Sequence, residues 1–188
     1  MSTTPTLRGA ITALVTPMSA DGSLDEPTLV ARVERQLDAG INGLVPVGTT
    51  GESPTLSADE DQRVIELTVE TVRRRGLSGS VPVIAGTGSN VTHHAVEYTQ
   101  AAARLGADAA LVVSPYYNKP DQRMLEAHYR TVADEGRLPV VVYNVPGRTG
   151  GNVAAATLMR LAEHPRIVAV KEASANMEQI MTIVRERP

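Results

Sequence analysis

The stretch Pro139-Val140-Val141-Val142-Tyr143-Asn144-Val145-Pro146-Gly147-Arg148-Thr149, and after it Ile167-Val168-Ala169-Val170-Lys171-Glu172, decides the fold class. Side chains alternate across a strand, so the runs within these stretches that are apolar throughout, Pro139–Tyr143 and Ile167–Val170, bury both faces. Cover on both faces means helices packed on a parallel sheet, open or closed into a barrel. Outward from these two runs the same alternation continues, with short β-branched segments separated by longer segments of helical period. Strands are expected near 10–16, 43–47, 82–86, 108–113, 139–145 and 167–171, and helices near 25–39, 57–75, 92–105, 121–135 and 153–163, with a sixth beginning after Ser174. Ser57 and Glu60 have the spacing of a capping box, and Gly40, Gly76, Gly106 and Gly136 stand where helices should stop. The class is therefore α/β with six βα units. Spacing alone leaves a doubly wound sheet and a barrel both open.

Composition narrows the chemistry. The chain has 188 residues, 42% hydrophobic and 21% charged, which suits one globular domain over 1–188, and no Pro/Gly/Ser-rich linker interrupts it. Eighteen basic and 21 acidic side chains give a net charge of -3, with no cationic block for a nucleic-acid partner. No run approaches the ~20 apolar residues of a membrane span, and the start lacks a signal-peptide pattern, so a cytoplasmic protein is expected. With no cysteine, disulfides, thiolate nucleophiles and cysteine-ligated metals are excluded. Sixteen of the basic residues are arginine; the two lysines are Lys119 and Lys171. Phe and Trp are absent and the five aromatics are all tyrosine, so the core must be aliphatic and each tyrosine is a candidate for its hydroxyl.

In either parallel architecture, reactive groups belong at the carboxyl ends of the strands. Lys171 ends the sixth strand after an uncharged run, where an amine emerging into a poorly solvated mouth would be partly neutral and nucleophilic toward ketones and aldehydes. An ion pair with Glu172, or a lysine reaching to the surface, fits the same position. Gly48-Thr49-Thr50-Gly51 offers two hydroxyls and close backbone N–H groups to a small anion such as a carboxylate, or is a plain strand-to-helix loop. Gly86-Thr87-Gly88 lacks the lysine and third glycine of a phosphate loop. Tyr143 could move protons or simply pack, as could Tyr117, in a loop bracketed by Pro115 and Pro120. Arg148 could clamp a carboxylate or face water. His93 and His94 are adjacent on a helix and point apart, so they do not make a metal pair.

In order along the chain, Gly48-Thr49-Thr50-Gly51-Glu52, Pro115-Tyr116-Tyr117-Asn118-Lys119-Pro120, Tyr143-Asn144-Val145-Pro146-Gly147-Arg148-Thr149 and Val170-Lys171-Glu172-Ala173 resemble the motifs of the class I pyruvate-dependent aldolase and lyase family, most closely its lysine-biosynthesis branch. The resemblance runs from about Gly9 to the last residue. It implies a (β/α)8 TIM barrel of which this chain has the first six βα units, without strands 7 and 8 and the helical extension. It also implies a homotetramer built as a dimer of dimers when full length, and no metal or organic cofactor. Its substrates would be pyruvate and aspartate semialdehyde. By the same resemblance Lys171 forms the Schiff base and Gly48, Thr49 and Thr50 hold the pyruvate carboxylate, Thr49 also linking tyrosine hydroxyls. Tyr143 moves protons, Arg148 binds the semialdehyde carboxylate, and Tyr117 reaches into the neighbouring subunit. A 2-keto-3-deoxy sugar acid aldolase shares the pyruvate half of this pattern. A keto-acid-binding half-barrel without turnover is the non-enzymatic alternative.

Overall fold

The structure is a computed structural model that describes residues 5–187. The chain divides into two compact units, one formed by residues up to Gly86 with Ala101–Ala110, the other by Thr87–Gln100 and the residues from Leu111 onward. In the first unit, β1 (Ile11–Ala13) pairs in parallel with β2 (Gly43–Val45), Thr12 lying beside Leu44. On its other side β2 meets the chain of β3 (Ile84–Gly86): Leu44 bridges Val83 in parallel, and the Gly86 N–H donates to the Pro46 carbonyl at 3.0 Å. The Asp108 N–H in turn donates to the Val83 carbonyl at 2.9 Å. A flavodoxin-like doubly wound sheet places its first strand between the second and third, whereas here β2 occupies that place. Sequential order without reversal is the order of a barrel.

The helices of this unit form where the sequence punctuates them. α1 (Glu26–Asp38) starts at Asp25, whose carboxylate accepts from the Thr28 N–H at 3.0 Å, and it buries Leu29, Val33 and Leu37 four residues apart. α2 (Ala58–Arg74) opens on the expected capping box: the Glu60 N–H donates to Ser57 Oγ at 3.3 Å and the Ser57 N–H to Glu60 Oε2 at 2.8 Å. Its first turn is acidic and its last basic, matching the helix dipole. The forked Arg63 guanidinium grips both Glu26 oxygens at 2.8 and 2.7 Å and ties the two helices together. Asp61, on the same turn as the capping box, has a buried Oδ1 without a partner; burial, and then the neighbouring Glu60 charge, push its carboxyl up to about 7.

Helix α3 (Thr92–Leu105) and strand β4 (Ala109–Val113) each have residues in both units. In the second unit β4 leads to α4 (Gln122–Glu135), β5 (Val140–Asn144), the four-residue helix α5 (Pro146–Thr149), α6 (Ala155–Ala162), β6 (Ile167–Glu172) and α7 (Met177–Glu186). The Ser114 N–H donates to the Tyr143 carbonyl at 3.0 Å, and β5 pairs in parallel with β6, so β5 lies between its neighbours in sequence. All five residues of β5 are buried, as its two-sided apolar pattern requires. β6 differs: Val168, Ala169 and Val170 are only half-buried, because among the described residues β6 has a strand on one side alone. Val168 to Val170 also face a cavity of about 430 Å³ that α6 and α7 wall with Leu158, Ile180 and Ile183.

The structure adds local detail to this reading. The turn at Pro146 is helical, with Pro146 at its first position and Gly150 left-handed at its end. Helix α4 stops at Gly136 as expected, although Gly136 is right-handed and it is Arg137 that takes the positive φ of 69°. Glycine is needed at 136 for another reason, since a Cβ there would sit 2.6 Å from Thr99 Cγ2 and from the Val132 carbonyl. Gly86 and Gly88 are likewise packing glycines, whose added Cβ atoms would run into the Val47 carbonyl and the Val113 amide. No helix among the described residues is long and apolar enough to cross a membrane.

Two stability predictions follow from this packing. Gly86→Ala should destabilise by about 2–3 kcal/mol, because the obstruction is backbone, whereas Gly147→Ala, with nothing within 4 Å, should change stability by less than about 0.5 kcal/mol. Denaturant unfolding of both variants compares them directly. His128 on α4 is buried, with Nδ1 bonded to Thr92 Oγ1 at 2.9 Å and Nε2 without a partner, and burial pulls its pKa down to about 4. The unfolded chain takes up this proton below about pH 6.5 and the folded one does so only near 4, so the stability this residue confers falls as pH drops through that window. A His128→Asn variant should therefore lose about 2 kcal/mol less than the parent between pH 7 and pH 4.5, read from unfolding midpoints at the two pH values.

Candidate active site

Strand β6 does not follow β5 in simple register. Val140 lies opposite Ile167 but Val141 lies opposite Ala169, so β6 accommodates one extra residue, Val168. Beyond this slip Tyr143 faces Lys171 and Asn144 faces Glu172. An unbroken ladder from Val140–Ile167 would have set Tyr143 opposite Val170. The slip is what joins the phenol and the amine: Lys171 Nζ stands 4.2 Å from the centroid of the Tyr143 ring. At that range an ammonium is attracted to the ring face, which holds a long and otherwise free side chain in one place.

Tyr143 is buried and Lys171 is exposed. The ion pair with Glu172 is absent from the described residues. Glu172 instead accepts from Asn144 Nδ2 at 3.1 and 2.9 Å, from the Ser174 N–H at 2.8 Å and from Gln179 Nε2 at 3.0 Å. Burial opposes its charge, and the bonds from Asn144, Ser174 and Gln179 outweigh burial and hold the carboxyl below the usual range. Lys171 is thus a lysine without a competing carboxylate partner, lying against a tyrosine at adjacent strand ends.

Arg148 is on α5, exposed, just after the Tyr143 strand. The turn that presents it is held by Thr149 Oγ1, which donates to the Gly151 carbonyl at 2.9 Å. Tyr117, in the loop between β4 and α4, is 89% exposed at a φ of 71°, and Lys119 two residues later has a φ of 45°. Left-handed backbone at a bulky residue is costly, and here it turns an aromatic side chain outward into solvent. His93 and His94 belong to the surface: His93 Nε2 meets Glu97 at 3.2 Å, and His94 lies 6.1 Å from the Tyr98 ring.

In the first unit, Gly48 is extended at φ -86° and Thr49–Gly51 form a 3-10 turn, with both threonines exposed. The turn is anchored from β1's side by Thr16 Oγ1, which donates to the buried Gly51 carbonyl at 2.7 Å. Val47 before it and Glu52 after it are left-handed, at φ 56° and 59°. A β-branched residue rarely takes that conformation, so the loop is set by its surroundings and not by local preference. Its two hydroxyls remain available to an anion. The motifs assign no role to Asn144; its signal in the sequence is a polar amide directly after the apolar run Pro139–Tyr143.

A family model for the dihydrodipicolinate synthetase family matches residues 6–188. The chain is 53% identical over 169 residues to the 4-hydroxy-tetrahydrodipicolinate synthase of Acidiphilium cryptum, covering 90% of this chain and 56% of that protein. It is likewise 53% identical to the protein of that name from Rhizobium meliloti, covering 92% of this chain and 58% of that one. The crystal structure of dihydrodipicolinate synthase from Aquifex aeolicus superimposes with a TM-score of 0.90 at 44% identity, over 97% of this chain and 60% of that one. The chain thus spans somewhat under three fifths of the curated relatives it matches, with the first six βα units of a TIM (β/α)8-barrel fold. By its match over 6–188 and by the identity of these relatives, it belongs to the dihydrodipicolinate synthetase family.

Proposed function

We propose that this chain contributes the pyruvate-binding amine of a Schiff-base lyase that condenses pyruvate with L-aspartate-4-semialdehyde to 4-hydroxy-tetrahydrodipicolinate. The observation that supports it most directly is the Lys171–Tyr143 pair, with Nζ 4.2 Å from the ring centroid and no carboxylate on the lysine. In this reaction the neutral Nζ adds to the keto carbon of pyruvate, and the carbinolamine loses its hydroxyl as water to give the imine. Loss of a methyl proton makes the enamine, which attacks the aldehyde carbon. The amino group of the semialdehyde portion then attacks the imine carbon, closes the ring and releases Lys171. Protons leave and return at several of these steps, and the Tyr143 hydroxyl is the group assigned to move them. The protein's own amine serves as electron sink, so no cofactor enters the scheme.

The remaining roles follow the chemistry of each loop. Gly48, Thr49 and Thr50 are assigned to the pyruvate carboxylate, which the turn's hydroxyls and N–H groups suit. Arg148 is assigned to the carboxylate of the semialdehyde, a match for its forked guanidinium. Tyr117, turned outward by its left-handed backbone, is assigned to a neighbouring subunit's site within a dimer of dimers formed by the complete protein. The relative from Acinetobacter baumannii is described in complex with pyruvate, at 45% identity and a TM-score of 0.90 over 97% of this chain and 62% of that one, which supports pyruvate as the first substrate.

In the complete protein, pyruvate with borohydride should leave one reduced adduct per chain, mapping to the peptide that contains Lys171 and lost in Lys171→Arg. Mass spectrometry decides it, and labelling at Lys119 would overturn the assignment. In the complete protein, Arg148→Ala should raise the KM for the semialdehyde by roughly 10- to 100-fold, the loss of one charged hydrogen bond, while pyruvate trapping stays within about twofold. Unchanged kinetics toward the semialdehyde, or activity retained only toward a 2-keto-3-deoxy sugar acid, would reject that role.

A further inference from the structure

Asn144 and Glu172 are the residues next to Tyr143 and Lys171, and they are opposite one another in the ladder. Strand alternation turns their side chains to the face opposite the amine. There Asn144, fully buried, accepts from the Val153 N–H at 3.0 Å and donates to Asn152 Oδ1 at 2.8 Å as well as to Glu172. Asn152 Nδ2 donates to Gln179 Oε1 at 2.8 Å, and Gln179 Nε2 returns to Glu172 at 3.0 Å. The circuit joins the ends of β5 and β6, the segment following α5 and the first turn of α7. Few of its polar atoms are left without partners, which is the condition under which a buried polar network rigidifies.

We propose that Asn144 and Glu172 are positioning residues for Lys171, whose hydrogen bonds lock the last pair of the β5–β6 ladder and so hold Nζ over Tyr143 where the keto acid meets it. The proposal rests on the reading of Lys171 as the Schiff-base amine. Two observations support it. Among the described residues Lys171 makes no ion pair, and it is the Tyr143 ring that its Nζ lies against. The register also needs a lock: β6 has already slipped by one residue at Val168, and its apolar run offers similar packing in either register. A further slip would leave the buried Asn144 amide and the Glu172 carboxylate unpaired, an outcome that valines at these positions would not penalise.

The test exchanges donor and acceptor. Asn144→Asp puts two carboxylates in contact, Glu172→Gln puts two amides in contact, and the double variant restores one acceptor against one donor. The measurement is the rate at which pyruvate forms a borohydride-reducible adduct on Lys171 in the complete protein, at a temperature where circular dichroism shows each variant folded. Each single variant should form the adduct roughly 10- to 100-fold more slowly at saturating pyruvate, with the half-saturating pyruvate concentration within about threefold of the parent. The double variant should recover to within about threefold of the parent rate. Singles that melt earlier yet react at the parent rate would show a purely structural network and overturn the proposal, as would a double variant as slow as the singles. Should a single variant fail to fold, Gln179→Met removes one bond to Glu172 from the helix side; it should slow the adduct about threefold, and a parent-like rate there overturns the proposal. A parent chain that forms no adduct at Lys171 overturns the proposed function itself, whereas a reactive parent with indifferent variants overturns only this inference.

Discussion

The one-residue slip between β5 and β6 is the constraint on which the site depends. Side chains alternate with a period of two, so a single extra residue reverses which face every later residue of the strand presents. With Val168 inserted, Lys171 shares a face with Tyr143, and Glu172 shares the opposite face with Asn144. The slip therefore sorts four polar residues into two pairs with different tasks: one meets a substrate, the other bonds to the segment after α5 and to the start of α7. Neither pair would form in the simple register.

Within the second unit, polar side chains do work that the apolar core cannot. Valines in β5 and leucines in α6 supply burial, which is roughly proportional to area and indifferent to small shifts along a strand. Hydrogen bonds are directional and costly to leave unmade, so Asn144, Asn152, Glu172 and Gln179 specify position. Gln122 extends the same principle. Its Oε1 accepts from the Ala154 N–H at 2.9 Å and from Thr157 Oγ1 at 2.8 Å, serving α6 in place of the side-chain cap that Ala154 lacks. Anchors of this kind hold the segment that follows the Arg148 turn.

The first unit uses backbone in place of side chains. Its threonine turn lies between Val47 and Glu52, both left-handed, and Gly86 has no Cβ because the Val47 carbonyl stands where one would go. A strained residue persists only where its surroundings over-determine it. Here the hydrogen bonds of Pro46 and Gly51, to Gly86 and Thr16, supply that determination.

The amino-acid sequence by itself determined the six βα units, the capping box of α2, the scarcity of lysine that singled out Lys171, and the strand-end motifs that pointed to the family. These are legible because they rest on local periodicity, cap chemistry and residue identity. It did not determine sheet order, which was settled by pairing between segments about 30 to 40 residues apart, with β2 between β1 and β3. Nor could it show that Glu172 bonds to Asn144 and leaves the lysine alone, since two adjacent charged residues read as a pair until the strand turns them apart. The slip at Val168 is the deepest of these, because a run of Ile-Val-Ala-Val packs acceptably in either register and only the polar partners of Asn144 and Glu172, brought in from α7 and the segment after α5, distinguish one from the other.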